Sequence, residues 1–411
     1  MSSAGVFCIN EGLRKEKVMN RKILMIIVIA AFTAGAALKG QSSFSGEEIN
    51  SLLNNGYEMY GKAKYAAAIE LFDKWLASEK TGNKQQRADA EYYAALSAMR
   101  LLSPDAEYRM QNFIITNSES PMLNQARFES ALYCYQQRNY YCAIEWFEKT
   151  DRLQLSDKSL AEYMFKLGYS HYMKGDRKKA TMLFSELIDV DTDYTAPAIY
   201  YHACIAYENG FYSTALEGFE RLTGDETFGG VVPFYIVQIY YLDKNYDGIL
   251  AMAPSLIDQA GKTREVELYR FIGDAHFQKG NYSEAVPWLE KFIKNTKLSD
   301  RNDKYELAYS YYQTGEFAKA TDMFTEVVGK SDILTQNAYY MLGSCYLKSE
   351  DKKRAQLAFS AASGMSYDQS IQEEALFNFA KLAYENSYSP FGEAIEALHS
   401  YIETYPGSDH T

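Results

Sequence analysis

Proline is scarce in this chain, eight in 411 residues, which removes the strongest helix breaker and leaves room for long helical stretches. Histidine is rarer still: His171, His202, His276, His399 and His410 are all there are, and they form no His-Glu-x-x-His motif. There is no Cys-x-x-Cys, no Gly-x-Ser-x-Gly and no glycine-rich phosphate loop, since Gly229-Gly230 lacks a following Lys-Ser/Thr. Metal and nucleophilic sites need several such groups converging, so no catalytic residue, no metal ligand and no cofactor is expected. Acidic pairs such as Glu47-Glu48 and Glu373-Glu374 read as solvated or helix-capping charges. Positive charge is short as well, 42 Lys and Arg against 54 Asp and Glu for a net −12. A surface of that sign repels nucleic acid and anionic lipid headgroups, which excludes nucleic acid as the expected partner.

No long hydrophobic run is present either. The uncharged stretch from Ile23 to Leu38 is shorter than the roughly 20 residues that span a bilayer comfortably. It follows Arg21-Lys22 and leads into Ala34-Gly35-Ala36 and Gly40, the basic, apolar and small-residue order of a secretory signal peptide. Residues 1–40 are therefore expected to be an N-terminal extension, with Met19 as a natural start, and a signal peptide. The alternative is an uncleaved anchor in the inner membrane, the only membrane contact expected. No cysteine ends the run, which argues against lipoprotein processing. Removing 1–40 takes away six of the basic and two of the acidic residues, so the remainder is more acidic still. Of the remaining cysteines, Cys134, Cys142, Cys204 and Cys345, only the first two are close in sequence. A disulfide there is open to an exported chain. Small buried apolar side chains are the plainer reading, and sequence does not decide the pairing.

What is abundant is apolar and aromatic: 47% hydrophobic and 15% aromatic, with 36 tyrosines, too much for a disordered chain. The pattern repeats. Gly175, Gly210, Asn245, Gly280, Gly315 and Glu350 stand at a constant spacing of 35. Alanine follows five residues later at Ala180, Ala215, Ala285, Ala320 and Ala355, and phenylalanine nine later at Phe184, Phe219, Phe324 and Phe359. Seven before the same positions stand Gly168, Ala203, Gly273, Ala308 and Gly343. Helical periodicity on both sides of each break makes each unit a helix, a turn and a second helix. The small residues let two backbones approach while the aromatic fills space. A period of this size marks a solenoid whose units bury their apolar faces on one another. The unit at Asn245 is the most degenerate, with Gly248 and Pro254 in its second helix, and a bent or loosened hairpin is expected over 245–256.

Leu167-Gly168, Tyr172, Gly175, Ala180 and Phe184 in one unit, and Ile272-Gly273, Phe277, Gly280, Tyr282 and Ala285 in another, resemble the tetratricopeptide repeat. The consensus tryptophan is missing. Ala63, Tyr65, Ala68 and Phe72 form an early unit, residues 84–116 a degenerate one, Arg138, Tyr140, Ala143 and Phe147 a third, and Phe391, Ala394 and Leu398 a late one. The resemblance implies an all-α fold, a right-handed α-α superhelix (solenoid) of about ten helix-turn-helix repeats over 46–411. Pro406 falls where that family closes a unit, so the array is expected to continue beyond residue 411.

In that family the first helix of each hairpin lines the concave face that holds partners. Ten residues before the turn position, the column reads Phe128, Phe165, Tyr200, Tyr235, Arg270, Tyr305 and Tyr340. Its aromatic members, Phe128, Phe165, Tyr200, Tyr235, Tyr305 and Tyr340, are the candidate partner-binding residues, a ladder for a protein or peptide segment. Packing between helices is the competing reading of the same rings. A second column, Tyr135, Tyr172, Tyr207, Leu242, Phe277, Tyr312 and Leu347, is expected in the core. The Lys/Asn clamp by which some members hold carboxylates is absent, its places taken by Phe165, Tyr169, Tyr200, Cys204, Tyr305 and Tyr309. The expected function is a non-enzymatic interaction scaffold in the periplasm of a bacterial cell envelope. The alternatives are an outer-membrane assembly or cell-division accessory factor, or the regulatory part of a larger enzyme or sensor.

Overall fold

The computed structural model describes residues 46–78, 82–386 and 392–408. The expected signal segment, Phe391 and residues 387–389 of the last unit, and residues 409–411 lie outside them. Among the described residues the regular elements are all helical. The first five hairpins are α1 (Gly46–Gly61) with α2 (Tyr65–Leu76), α3 (Lys84–Leu101) with α4 (Ala106–Thr116), α5 (Leu123–Gln136) with α6 (Tyr140–Glu148), α7 (Asp157–Met173) with α8 (Arg177–Ser185), and α9 (Thr195–Glu208) with α10 (Tyr212–Glu220). Five more follow: α11 (Val232–Leu242) with α12 (Tyr246–Leu256), α13 (Lys262–Gln278) with α14 (Tyr282–Asn295), α15 (Arg301–Gln313) with α16 (Phe317–Val327), α17 (Ile333–Lys348) with α18 (Lys352–Ser363), and α19 (Gln369–Asn386) with α20 (Glu393–Thr404). Among the described residues these make ten helix pairs of an all-α repeat fold. They fall into two compact units, one ending at Phe228 and one beginning at Gly229.

One turn geometry closes the first nine hairpins. Each has a single residue with positive φ: Ala63, Leu102, Arg138, Gly175, Gly210, Lys244, Gly280, Gly315 and Glu350. The next residue's N–H donates back to the carbonyl five residues earlier, as in Asp176 to His171 (2.9 Å), Asn245 to Tyr240 (2.8 Å) and Asp351 to Tyr346 (2.8 Å). This left-handed stop satisfies the last carbonyls of the first helix. Asn139, Asp176, Asn245 and Asp351 then cap the second helix, each side chain accepting from the N–H three residues on.

This geometry corrects the expected register. Asn245 is the cap, equivalent to Asp176 and Asp351, and the left-handed residue is Lys244, so the constant spacing of 35 slips by one at this unit and recovers at Gly280. Counted from Lys244, the degenerate unit becomes regular. Val237 stands where the other units have Gly or Ala, Ile249 takes the alanine place, Ala253 the phenylalanine place, and all three are fully buried in one cluster. Large and small have exchanged sides of the contact, which conserves its volume. α12 runs without interruption through Gly248 and Pro254. Gly248 has a packing reason, because a Cβ there would lie 2.7 Å from the ring of Tyr240.

In the first nine hairpins the second helix, with the turn that follows it, buries three residues spaced i, i+4, i+7, one stripe of a helix. The stripe reads Ala68, Phe72, Trp75; Ala106, Met110, Phe113; Ala180, Phe184, Leu187; Ala320, Phe324, Val327, and so on through Ala355, Phe359, Ala362. The small residue on the first helix faces the large member. A Cβ on Gly56, Gly168, Gly273 or Gly343 would come within 2.7 to 2.9 Å of Phe72, Phe184, Leu289 or Phe359, closer than atoms pack. Cys134 on α5 and Cys142 on α6 are joined in a disulfide with a Cα separation of 5.7 Å, so this pair crosslinks a hairpin. Cys204 and Cys345 are buried and take part in no disulfide.

Candidate interaction face

The expected aromatic ladder sits largely inside the hairpins. Phe128, Phe165 and Tyr200 are buried, with ring centroids 6.1, 5.8 and 6.3 Å from Phe147, Phe184 and Phe219 on the second helix of the same hairpin. Tyr305 and Tyr340 make the same contact with Phe324 (5.4 Å) and Phe359 (5.6 Å) but are only half-buried. Burial pushes the Tyr305 hydroxyl up to about 12. Tyr235 does not belong to the column: with Lys244 as the turn residue its place falls to Phe234, and both are buried. An aromatic ten before the turn is thus the first-helix half of the hairpin contact, which leaves Tyr305 and Tyr340 as the members with surface to offer.

The second column meets the residue two after the turn. Tyr135 packs on Tyr140 (6.0 Å), Tyr207 on Tyr212 (5.7 Å), Phe277 on Tyr282 (5.7 Å) and Tyr312 on Phe317 (5.6 Å). At Tyr172 the partner is the Arg177 guanidinium, 4.1 Å from the ring centroid. The slip at Lys244 replaces Leu242 in this column by Tyr241, restoring an aromatic.

Between these columns the first helices carry ionisable side chains that packing does not need. In the first unit they balance: Arg100 Nη2 lies 2.9 Å from Glu129 Oε2, and Lys166 pairs with Glu162 at 2.5 Å. Burial raises the Glu129 pKa. In the second unit α13 and α15 bring Arg270, Asp274, Asp303 and Glu306 together with Tyr241 of α11. Tyr241 donates to Asp274 Oδ2 at 2.6 Å. Arg270 Nη2 is 3.1 Å from Asp303 Oδ1, and its Nε is 3.8 Å from Asp274 Oδ2. Asp303 Oδ2 also accepts the Asp300 N–H at 2.7 Å in the capping box that starts α15. Burial, then the facing Asp274 carboxyl, pushes Glu306 up to about 9, and burial raises Asp303 as well. Arg270 is the one non-aromatic member of the first column; the absence of its ring was the sequence signal for this cluster. Asp274, Asp303 and Glu306 lie on other columns and carry no such mark.

A cleft of about 410 Å³ in the first unit is lined by Leu76, Glu91, Ala94, Asp105, Tyr108, Arg109 and Asn112. Its Arg109 already bridges Asp73 (2.7 Å) and Asp105 (2.5 Å), and Glu91 accepts from Asn117. Among the described residues no three His, Cys, Asp or Glu side chains are placed to hold a metal ion. No described helix is long and apolar enough to cross a membrane.

A family model described as Tetratricopeptide repeat matches residues 162–191, and one described as Anaphase-promoting complex, cyclosome, subunit 3 matches residues 278–362. No curated protein matches the chain. Among solved structures it is similar to a tetratricopeptide repeat protein from Parabacteroides merdae, at 18% identity over 62% of this chain and 98% of that one, with a TM-score of 0.34. It is also similar to the C-terminal part of a TPR repeat-containing protein from Cytophaga hutchinsonii (18% identity, 69% and 97% covered, TM-score 0.32) and to the P58(IPK) TPR domain (15%, 83% and 99%, 0.27). With a tetratricopeptide repeat matched at residues 162–191, and the same turn and buried stripe repeated along the helices before and after it, the chain carries tetratricopeptide repeats.

Proposed function

We propose that this repeat protein is a non-enzymatic scaffold of the bacterial cell envelope that binds protein partners along the first helices of its hairpins. The fold itself is that of a protein-interaction module. The observation that carries the choice of face is the Arg270, Asp274, Asp303 and Glu306 cluster: side chains held partly out of water, at the expense of desolvation, where apolar residues would pack the same helices more cheaply. Tyr305 and Tyr340 supply half-buried aromatic surface on the same kind of helix. Export is supported by the basic, apolar and small-residue order over 19–40 and by the Cys134–Cys142 disulfide, a bond that persists in oxidising compartments. The test is a photo-crosslinking amino acid placed at Tyr340 on α17 and, as the opposite-face control, at Leu357 on α18. Adducts with envelope proteins from position 340 and none from 357 are expected; cytosolic partners alone would refute export, and equal labelling from both positions would refute the choice of face.

A further inference from the structure

The helix α20 carries an apolar pair that nothing among the described residues covers. Leu398 packs on Ala380 and Ala383 of α19, and the Tyr401 ring lies 5.6 Å from Phe377 of the same helix. These two face their own hairpin and hold the places of Leu289 and Phe292 in the seventh. Ile395, three residues before Leu398, and Ile402, one after Tyr401, are 40% and 51% exposed. In the first, sixth and seventh hairpins the same two places hold Ile69 and Leu76, Leu250 and Ile257, and Val286 and Ile293. Those pairs are packed into clusters that take in the first helix of the following hairpin, through Ala94 and Ala95 on α3, Leu268 and Ile272 on α13, and Leu307 and Ala308 on α15. An apolar pair at these places is therefore where a helix is received. On α20 it meets solvent.

We propose that Ile395 and Ile402 receive an amphipathic helix of a protein partner, apolar along one stripe and flanked by Lys or Arg. Charge decides the occupant. No Lys or Arg follows Lys381 in the sequence, whereas Glu385, Glu393, Glu396, Glu403 and Asp409 do. Glu396 and Glu403, each next to one of the isoleucines, are exposed. Against α20 of a second copy these glutamates would meet glutamates, a like-charge juxtaposition that works against association. The α1 helix of a second copy fits no better. Its Ser51, Asn55 and Glu58, spaced i, i+4, i+7, are exposed and polar, and Asn55 stands where other first helices bury Ile272 or Leu307. Anionic lipid headgroups are repelled by the same glutamates. A basic helix satisfies both features: it buries the isoleucines as a following hairpin does elsewhere, and its flanking cations meet Glu396 and Glu403. Exposed His399 lies between the isoleucines on the same stripe and gives such a helix one polar contact. The site lies on a second helix, so it is independent of the first-helix face.

The test is fluorescence anisotropy with the full chain at about 0.15 M salt. The probe is labelled acetyl-Lys-Leu-Ala-Lys-Ala-Leu-Lys-Lys-Leu-Ala-Lys-Ala-Leu-Lys-amide, compared with the same peptide carrying Glu for every Lys. The Lys peptide is expected to bind about tenfold or more tighter than the Glu peptide. General attraction of a basic peptide to an acidic chain would give the same preference, so the site itself is read from two variants. Ile395→Ser with Ile402→Ser, both at exposed positions, should weaken the Lys peptide about tenfold or more without changing the circular dichroism. Glu396→Gln with Glu403→Gln, which leaves the isoleucines in place, should weaken it about threefold or more. Equal affinity of the Lys peptide for wild type and the isoleucine variant overturns the site, as does absence of binding to wild type at about millimolar concentration. Sedimentation equilibrium and flotation with phosphatidylglycerol vesicles check the other occupants. Wild-type dimers lost in the isoleucine variant would give the face to a second copy, and flotation lost in that variant would give it to a membrane; either result refutes the partner helix.

Discussion

Replacing Glu306 by glutamine should make the pH dependence of the second unit visible. In the folded chain burial and the facing Asp274 raise this carboxyl from 4.5 to about 9, so between those values the folded state holds a proton that the unfolded state has lost. Stability then falls as pH rises, because the slope follows protons bound unfolded minus protons bound folded, which is negative here. Above about 9 both states are ionised and the slope vanishes. A full single-proton slope is about 1.4 kcal/mol per pH unit, so from about pH 6 to about pH 8.5 the ceiling is about 3 kcal/mol. Glutamine has the same shape and no titration in this range. Hydrogen exchange of α13 (Lys262–Gln278) and α15 (Arg301–Gln313) reads the local opening free energy, and comparing variant with wild type at each pH cancels the chemistry of exchange itself. The ratio of wild-type to variant opening should climb toward tenfold per pH unit across this window. A ratio that stays level would mean that Glu306 is ionised in the folded chain, and the reasoning about a shared proton would fail with it.

Gly343→Ala sets two effects against each other: helix propensity favours alanine by about 1 kcal/mol, while the new Cβ meets the fully buried Phe359 ring at 2.7 Å, an overpacking that costs about 1–3 kcal/mol. A net loss of stability in thermal melts is expected, and a gain would show that the contact has slack. Lys244→Gly should stabilise the sixth hairpin by up to about 1 kcal/mol, since Lys244 and not Asn245 is left-handed, whereas Asn245→Ala should cost about 1 kcal/mol by removing the cap on Gly248; the reverse order would reinstate a strict 35-residue spacing. In the fifth hairpin Gly218→Ala should destabilise because its Cβ would lie 2.9 Å from that of Ala203, and Ala203→Gly in addition should restore the melting temperature. Alkylation of the unfolded, unreduced chain should leave Cys134 and Cys142 unlabelled by mass spectrometry until reductant is added; labelling of both before reduction would remove the crosslink and one support for export.

The local rules of the fold were legible in the residues themselves. Ala180, Phe184 and Gly168 announce a close helix contact by size alone, and Gly175 announces a left-handed stop by its lack of a Cβ. The Asn245 unit was misread because glycine is only the commonest left-handed residue: Lys244 adopts the same φ at a modest cost. The alternative signal was the cap column, in which Asn245 matches Asp176 and Asp351. The aromatic column shows a different limit. A ring at Phe128 or Tyr200 is equally suited to a partner and to the second helix, and periodicity cannot say which way a first-helix residue is covered.

By itself, then, the sequence determined the all-α repeat, the number of hairpins and the spacing of their small and large residues, because each depends on contacts made within one unit of chain. The tertiary structure alone decided that Tyr235 leaves its column, that Cys134 and Cys142 face one another, and that Arg270 and Asp274 of α13 meet Asp303 and Glu306 of α15. Those outcomes depend on how far one helix is rotated against its neighbour, and on the energy of charges brought together in low dielectric, neither of which a linear spacing encodes.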